Sequence, residues 1–202
     1  DQVELVSWFA DLSDFSRTTG EITLRDRAGP EAVGDLLNRT FGAIIGAIAG
    51  HGGEVYDFAG DAVLATWRVG HDGDRALPLT RASRCALEVL QLELPKIREE
   101  LPGLNLRIGI GVGTATYLEV GGVDGQWMFV AGGAPFNQIG LASSAARPGE
   151  VVLSPEATRS IDERVSGHVD EKGFLRLADV VPFDREPPGA PAELTPELES
   201  EV

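Results

Sequence analysis

Two aspartates stand where β-prone runs end, and their positions suggest metal chemistry. Asp61 lies at the tip of Val55-Tyr56-Asp57-Phe58-Ala59-Gly60-Asp61-Ala62-Val63-Leu64-Ala65-Thr66-Trp67, two apolar runs joined across a Gly-Asp step that reads as a hairpin. Asp11 follows a run from Val3 to Phe9, in Phe9-Ala10-Asp11-Leu12-Ser13-Asp14-Phe15-Ser16. If the two strands are neighbours, Asp11 and Asp61 converge into an acidic pair suited to Mg²⁺ and a polyphosphate. The segment after Asp11 reads as a short turn whose backbone N–H groups are available to an anion. Single turn aspartates are usually structural, so a capping carboxylate and a turn residue that never meet stand as the alternative.

Composition narrows the classes. At 202 residues with 43% apolar and 24% charged side chains, the chain can bury the core of one domain. A formal charge of -15 argues against nucleic acid, whose phosphates it repels, but not against a nucleotide that arrives with divalent cations. No apolar run approaches the ~20 residues that span a bilayer. The lone cysteine, Cys85, reads as a small buried hydrophobe and suits a reducing, cytoplasmic compartment. His51, His71 and His168 show no ligand spacing, and loop or surface roles suffice for them. The chain opens directly into a strand, as an excised piece of a longer polypeptide would.

The elements needed to position the aspartates follow in order. Val3 to Phe9 is a buried strand, and Thr18 to Gly29 a loop or frayed helix. Pro30 opens a helix with Phe41, Ile44, Ile45 and Ile48 on one face, ended by Gly50-His51-Gly52-Gly53. After the hairpin comes a loop at 69–74, then a helix from about Leu79 to Leu94 that Pro95 interrupts. Leu106 to Val112 is a strand that Thr114 to Val120 continues or reverses, and Trp127 to Val130 is another. Ala134 to Ala146 is a helix, Val151 to Leu153 a strand, and Ser154-Pro155-Glu156 starts a last helix. Residues 1–181 form one domain, and the Pro- and Glu-rich residues 182–202 a linker or disordered tail. Periodicity alone gives helices packed on a mixed sheet.

Three segments together carry a family resemblance. Phe9 to Ser16, Gly52 to Ala62, and Leu106-Arg107-Ile108-Gly109-Ile110-Gly111-Val112-Gly113 resemble the class III adenylate/guanylate cyclase catalytic domain, and Pro148 to Ser154 resembles its last strand entry. Within the family the chain looks most like the first, metal-binding cyclase domain of soluble, bicarbonate-responsive-type adenylyl cyclases and their bacterial relatives. The resemblance implies an α+β fold: a ferredoxin-like βαββαβ core with a mixed, mainly antiparallel sheet and helices packed on it. It implies conversion of ATP (or GTP) to the cyclic nucleotide and pyrophosphate at a dimer interface. The partner would be a second cyclase domain in the same chain or a second copy. By the same resemblance, Asp11, the Leu12 carbonyl and Asp61 would hold two Mg²⁺, with Mn²⁺ able to substitute. Backbone groups of Leu12, Ser13, Asp14, Phe15 and Ser16 would hold the triphosphate, and Asn137 would be the transition-state asparagine.

Four departures accompany the resemblance. The purine-reading lysine position is Asp57, the second purine-reading position falls near Val130, and the transition-state arginine position is Leu141. Asp14 stands where the family usually has glycine. The chain has only Lys96 and Lys172 as lysines, neither near the hairpin in sequence. This set implies a donor of the metal and phosphate half that needs a complementary domain. A cyclase-like domain that regulates without turnover, or a purely structural dimerisation domain, remains the alternative. Arg107, opening a buried strand, is expected to pair structurally with a carboxylate.

Overall fold

A computed structural model of the chain describes residues 2–13, 30–123 and 126–182. Strand β1 (Gln2–Ser13) is followed by helix α1 (Pro30–Gly50) and the hairpin of β2 (Glu54–Ala59) and β3 (Ala62–Arg68). Helices α2 (Ala76–Glu88) and α3 (Leu94–Glu100) are joined by a π turn at Val89–Glu93. Then come β4 (Asn105–Val123), β5 (Gln126–Gly133), α4 (Ala134–Ala145), β6 (Val151–Leu153), α5 (Pro155–Ser160), β7 (Val165–Val169) and β8 (Leu175–Val180). The sheet runs β2-β3-β1-β4-β6-β8-β7, with β5 on the far part of β4. Among the described residues β4–β6 is the parallel pair and the other pairs are antiparallel. The first four strands and their two helical connections make the expected βαββαβ core.

Strand alternation divides the sheet into two faces. On one, Val6, Trp8, Ala10 and Leu12 of β1, Val63, Ala65 and Trp67 of β3, and Leu106 to Val112 of β4 at alternate positions join Ile44, Ile48, Leu79 and Leu94 in the main core. Trp8 and Trp67 meet edge to face there at 6.4 Å. On the other face β4 carries Gly109 and Gly111, and α4 lies directly on them. A Cβ at Gly109 would come within 2.5 Å of the Ile139 carbonyl oxygen, and one at Gly111 within 2.8 Å of the Pro135 carbonyl oxygen. Small residues on the strand thus set the helix's height above the sheet.

Several sequence expectations shift. The helix expected from about Leu79 begins at Ala76 and is not broken at Pro95, because the chain passes through a π turn in which the Leu94 N–H reaches the Val89 carbonyl. Pro95 then sits in the first turn of α3, where its missing N–H costs little. Thr114 to Val120 continues β4 rather than reversing it. The hairpin β7–β8 was not anticipated. His51 is no surface residue: it is 5% exposed, its Nε2 is 2.9 Å from Glu88 Oε2, and its carbonyl accepts the Trp67 indole N–H. Ile45 is partly exposed. Cys85 is buried as expected. The expectations for Thr18–Gly29 and the tail from Phe183 lie outside the described residues. Among those described, no helix is long and apolar enough to cross a membrane.

Candidate active site

Register places the two aspartates. β1 lies between β3 and β4, with Asp11 opposite Ala62 on one side and Arg107 on the other. Asp61 is the residue before Ala62, on the two-residue Gly60-Asp61 turn that closes β2 on β3, with Gly60 at φ 67°. Cross-strand Cα atoms lie about 4.5–5.5 Å apart and consecutive ones about 3.8 Å. Asp11 and Asp61 therefore sit one residue step from facing each other, at one end of adjacent strands. Both side chains are half-buried.

The donor set fits a hard cation. The two carboxylates and a neighbouring main-chain carbonyl would offer oxygen donors; among the described residues no group of three or more His, Cys, Asp or Glu gathers to hold a metal. Magnesium does not need such a cage, since it keeps waters and substrate phosphates in its shell. The strand runs further than expected: Leu12 and Ser13 lie in the β1–β4 ladder opposite Leu106 and Asn105, so any phosphate turn starts after Ser13. The remaining turn residues, Asp14, Phe15 and Ser16, lie outside the described residues.

Arg107 was expected to pair with some carboxylate, and the carboxylate is that of Asp11. Its Nε donates to Asp11 Oδ2 at 2.6 Å, and its terminal nitrogen contacts the same oxygen. The pair is partly open to solvent, with side-chain exposures of 39% for Arg107 and 21% for Asp11.

The other named positions lie apart from the pair. Asn137 is exposed on α4, one turn before Leu141, which is 64% exposed. Its neighbour Gln138 clasps β4: Oε1 accepts the Val112 N–H and the Ser154 hydroxyl, and Nε2 donates to the Val112 carbonyl, at 2.7–3.0 Å. Val112 pairs with Val6, five residues before Asp11, so at ~3.4 Å per residue the strand position that Gln138 clasps lies roughly 17 Å along β1 from Asp11. Leu141 rims a groove of about 570 Å³ between α4 and the β7–β8 turn, shared with Phe174, Arg176 and Lys172. Val130 is 40% exposed beside its cross-strand partner Leu118. Asp57 is exposed, and its Oδ1 accepts the N–H of Phe58 at 2.7 Å, a local turn contact beside a β-bulge.

Beside Asp57 and the Leu118–Val130 pair lies an aromatic cluster that no local pattern along the chain announces. Tyr56 of β2, Tyr117 of β4 and Phe136 of α4 meet there with centroids 6.1 and 5.7 Å apart. Burial, then the neighbouring Tyr56, pushes the Tyr117 phenol above its ordinary range.

No family model matches the chain. Over 160 residues it is 31% identical to adenylate cyclase type 10 of Mus musculus, covering 78% of this chain and 10% of that protein. It is 32% identical over 122 residues to adenylate cyclase 1 of Rhizobium meliloti (strain 1021), 58% of this chain and 17% of that one. The chain thus spans about a tenth of the length of the type 10 relatives it matches. Among solved structures, the guanylyl cyclase Cya2 superposes with a TM-score of 0.70 at 24% identity over 96% of both chains. The adenylyl cyclase CyaB from P. aeruginosa does so at 0.65 and 22%, over 92% of this chain and 97% of that one. Identities that low speak for the fold alone. Taken with the sequence relatives and the βαββαβ core, they show that the chain belongs to the class III adenylyl/guanylyl cyclase catalytic-domain family.

Proposed function

We propose that this chain is the metal- and phosphate-binding half of a nucleotidyl cyclase, converting ATP to cyclic AMP and pyrophosphate when a complementary domain closes the site. One observation carries this: Asp61 sits on its turn one residue before the cross-strand partner of Asp11. Asp11, Asp61 and the Leu12 carbonyl would hold two Mg²⁺, or Mn²⁺ in their place. Bound there, the ions would lower the pKa of the ribose 3′-hydroxyl and neutralise charge on the departing pyrophosphate. The chain's own part is to hold the triphosphate so that the 3′-oxygen lies in line with the α-phosphorus, with backbone groups after Ser13, those of Asp14, Phe15 and Ser16, as the cradle. Asn137, exposed on α4 beside the residue that clasps Val112, would serve a site completed by another domain or copy. GTP is the alternative substrate.

The exposed Leu141 favours a second reading, a domain that binds nucleotide or only regulates its partner. An apolar side chain there supplies none of the ~2.7–4 kcal/mol that a charge-stabilising donor contributes in comparable sites. Calorimetry with ATP and Mg²⁺ or Mn²⁺, followed by a cyclic AMP assay with and without a complementary cyclase domain bearing lysine and arginine, tests both. Binding lost in Asp61→Ala and turnover only with the added domain support the half-site. Binding without turnover in any pairing supports the regulatory reading, and binding indifferent to Asp11→Ala and Asp61→Ala overturns both.

A further inference from the structure

We infer that Gln138 is a positioning residue: its side-chain amide stands in for a strand that β6 stops short of providing, and so fixes the rotation at which α4 presents Asn137 and Leu141 to a complementary domain. This rests on the half-site reading above, which supplies that domain. The parallel ladder between β4 and β6 runs from the Ile108 N–H, donating to the Glu150 carbonyl at 3.0 Å, to the Ser154 N–H, donating to the Ile110 carbonyl at 2.8 Å. The next rung would join the Val112 N–H to the Ser154 carbonyl. That carbonyl instead accepts the Thr158 N–H at 2.8 Å, because Ser154 caps α5. Val112 is fully buried, so its main-chain groups need partners from elsewhere. The Gln138 amide supplies both, donating to the Val112 carbonyl and accepting the Val112 N–H at 3.0 Å each, and its Oε1 also accepts the Ser154 hydroxyl.

The glycines of β4 set the height of α4, but rotation about its axis needs a directional contact. The buried side chains of the helix are Pro135, Ile139, Ala142 and Ser143, a short stripe of mostly small groups whose apolar contact has no direction. The Ser7 hydroxyl donates to the Pro135 carbonyl at 2.9 Å and Arg176 to the Ala145 carbonyl at 3.2 Å. Those bonds hold the two ends against sliding, yet they act on main-chain atoms close to the axis. Gln138 acts from the end of a side chain, through a pair of hydrogen bonds to one residue, and so resists turning. Gly111 leaves the room for it: a Cβ there would stand 2.8 Å from the Gln138 Cβ. Asn137 projects about 100° round the helix from Gln138, with Leu141 one turn on along the same face, and both are exposed. A helix free to turn presents that face correctly for only part of the time, and the apparent affinity for a partner falls by that fraction.

The test pairs the whole chain with the complementary domain bearing lysine and arginine and reads the dissociation constant by calorimetry, with thermal melts to confirm that each variant folds. Gln138→Leu keeps the bulk and loses the amide, and is expected to weaken the complex at least about tenfold as the competent fraction falls to about a tenth. Gln138→Glu separates orientation from bulk and stability. Its ionised carboxylate only accepts and would face the Val112 carbonyl with a charge, whereas the protonated form offers one acceptor and one donor as the amide does. Measured against the native chain at the same pH, its complex should be weaker by about tenfold at about pH 8 and recover to within about threefold at about pH 5, burial beside a carbonyl raising the carboxyl into that range. A folded Gln138→Leu that pairs within about twofold of native overturns the proposal, as does a Gln138→Glu loss that ignores pH. Cyclic AMP formation by the same complexes separates this from the reading beneath it. A native complex without turnover sinks the half-site reading while the affinity ratios still decide the clasp, and the absence of any complex removes both.

Discussion

Asp57 and Asp61 lie four residues apart on one hairpin and do different work. Asp57 spends an oxygen on the N–H of the next residue, beside a bulge, whereas Asp61 stands on the tip next to the strand that carries Asp11. Removing charge at the two positions should therefore separate them. Asp61→Asn is expected to weaken Mn²⁺-dependent ATP binding at least about tenfold, because the proposed site would lose one of its two anionic ligands, and Asp57→Asn to leave it within about twofold; equal losses in calorimetry would contradict the proposal. A different carboxylate contributes to acid stability. The Arg164 guanidinium hydrogen-bonds Asp162 at the start of β7 and holds its carboxyl below the usual range. A carboxyl depressed in the fold contributes stability that is present above its unfolded value of about 3.9 and lost as pH falls through the folded one. Arg164→Gln should flatten the dependence of Tm on pH below about 4 and leave it unchanged near neutrality, where both forms are ionised.

At the level of elements, the seat of α4 fixes where Asn137 and Leu141 point. That seat is a steric fact about β4: the Ile139 carbonyl and the Ser143 nitrogen occupy the space that a side chain on residue 109 would need. Both are backbone atoms that cannot rotate aside. Gly109→Ala is expected to cost about 1–3 kcal/mol by overpacking, a fall in Tm of roughly 3–10 °C, and a melt at native temperature would show that α4 is not so tightly held. The glycines were visible in the sequence, but that the helix packs on them was not, since nothing local says which face of a strand receives a helix. The hairpin and α1 were legible because the Gly-Asp step and the Gly50 to Gly53 stop are local signals. The βαββαβ core came from resemblance, not from periodicity. β7–β8 escaped because Ser166, Gly167, His168 and Val169 are all exposed, which leaves no apolar alternation to read. His51 escaped because its burial depends on Glu88 and Trp67, 37 and 16 residues away. Asp11 and Asp61 were legible as strand-end carboxylates; that Arg107 sits on Asp11 needed the register.

The molecule as a whole carries a formal charge of -15 and presents Leu118, Val120, Val130 and Leu141 to solvent. The apolar side chains favour association, while the charge opposes it between identical copies and favours it with a basic partner. Salt therefore has opposite signs in the two cases. Two copies of this chain repel at long range, and raising ionic strength from about 20 to 300 mM shortens the screening length from roughly 20 Å to 6 Å, so self-association should tighten. A complementary domain with a basic facing surface is attracted through the same field, so its complex should weaken over the same range, mainly through a slower on-rate. Sedimentation velocity of the chain alone and with the candidate domain reads both slopes. Self-association that weakens with salt would show that specific ion pairs hold the homodimer, and the need for a basic partner would then lose its electrostatic support. A heterocomplex indifferent to salt would place its recognition in the apolar side chains alone.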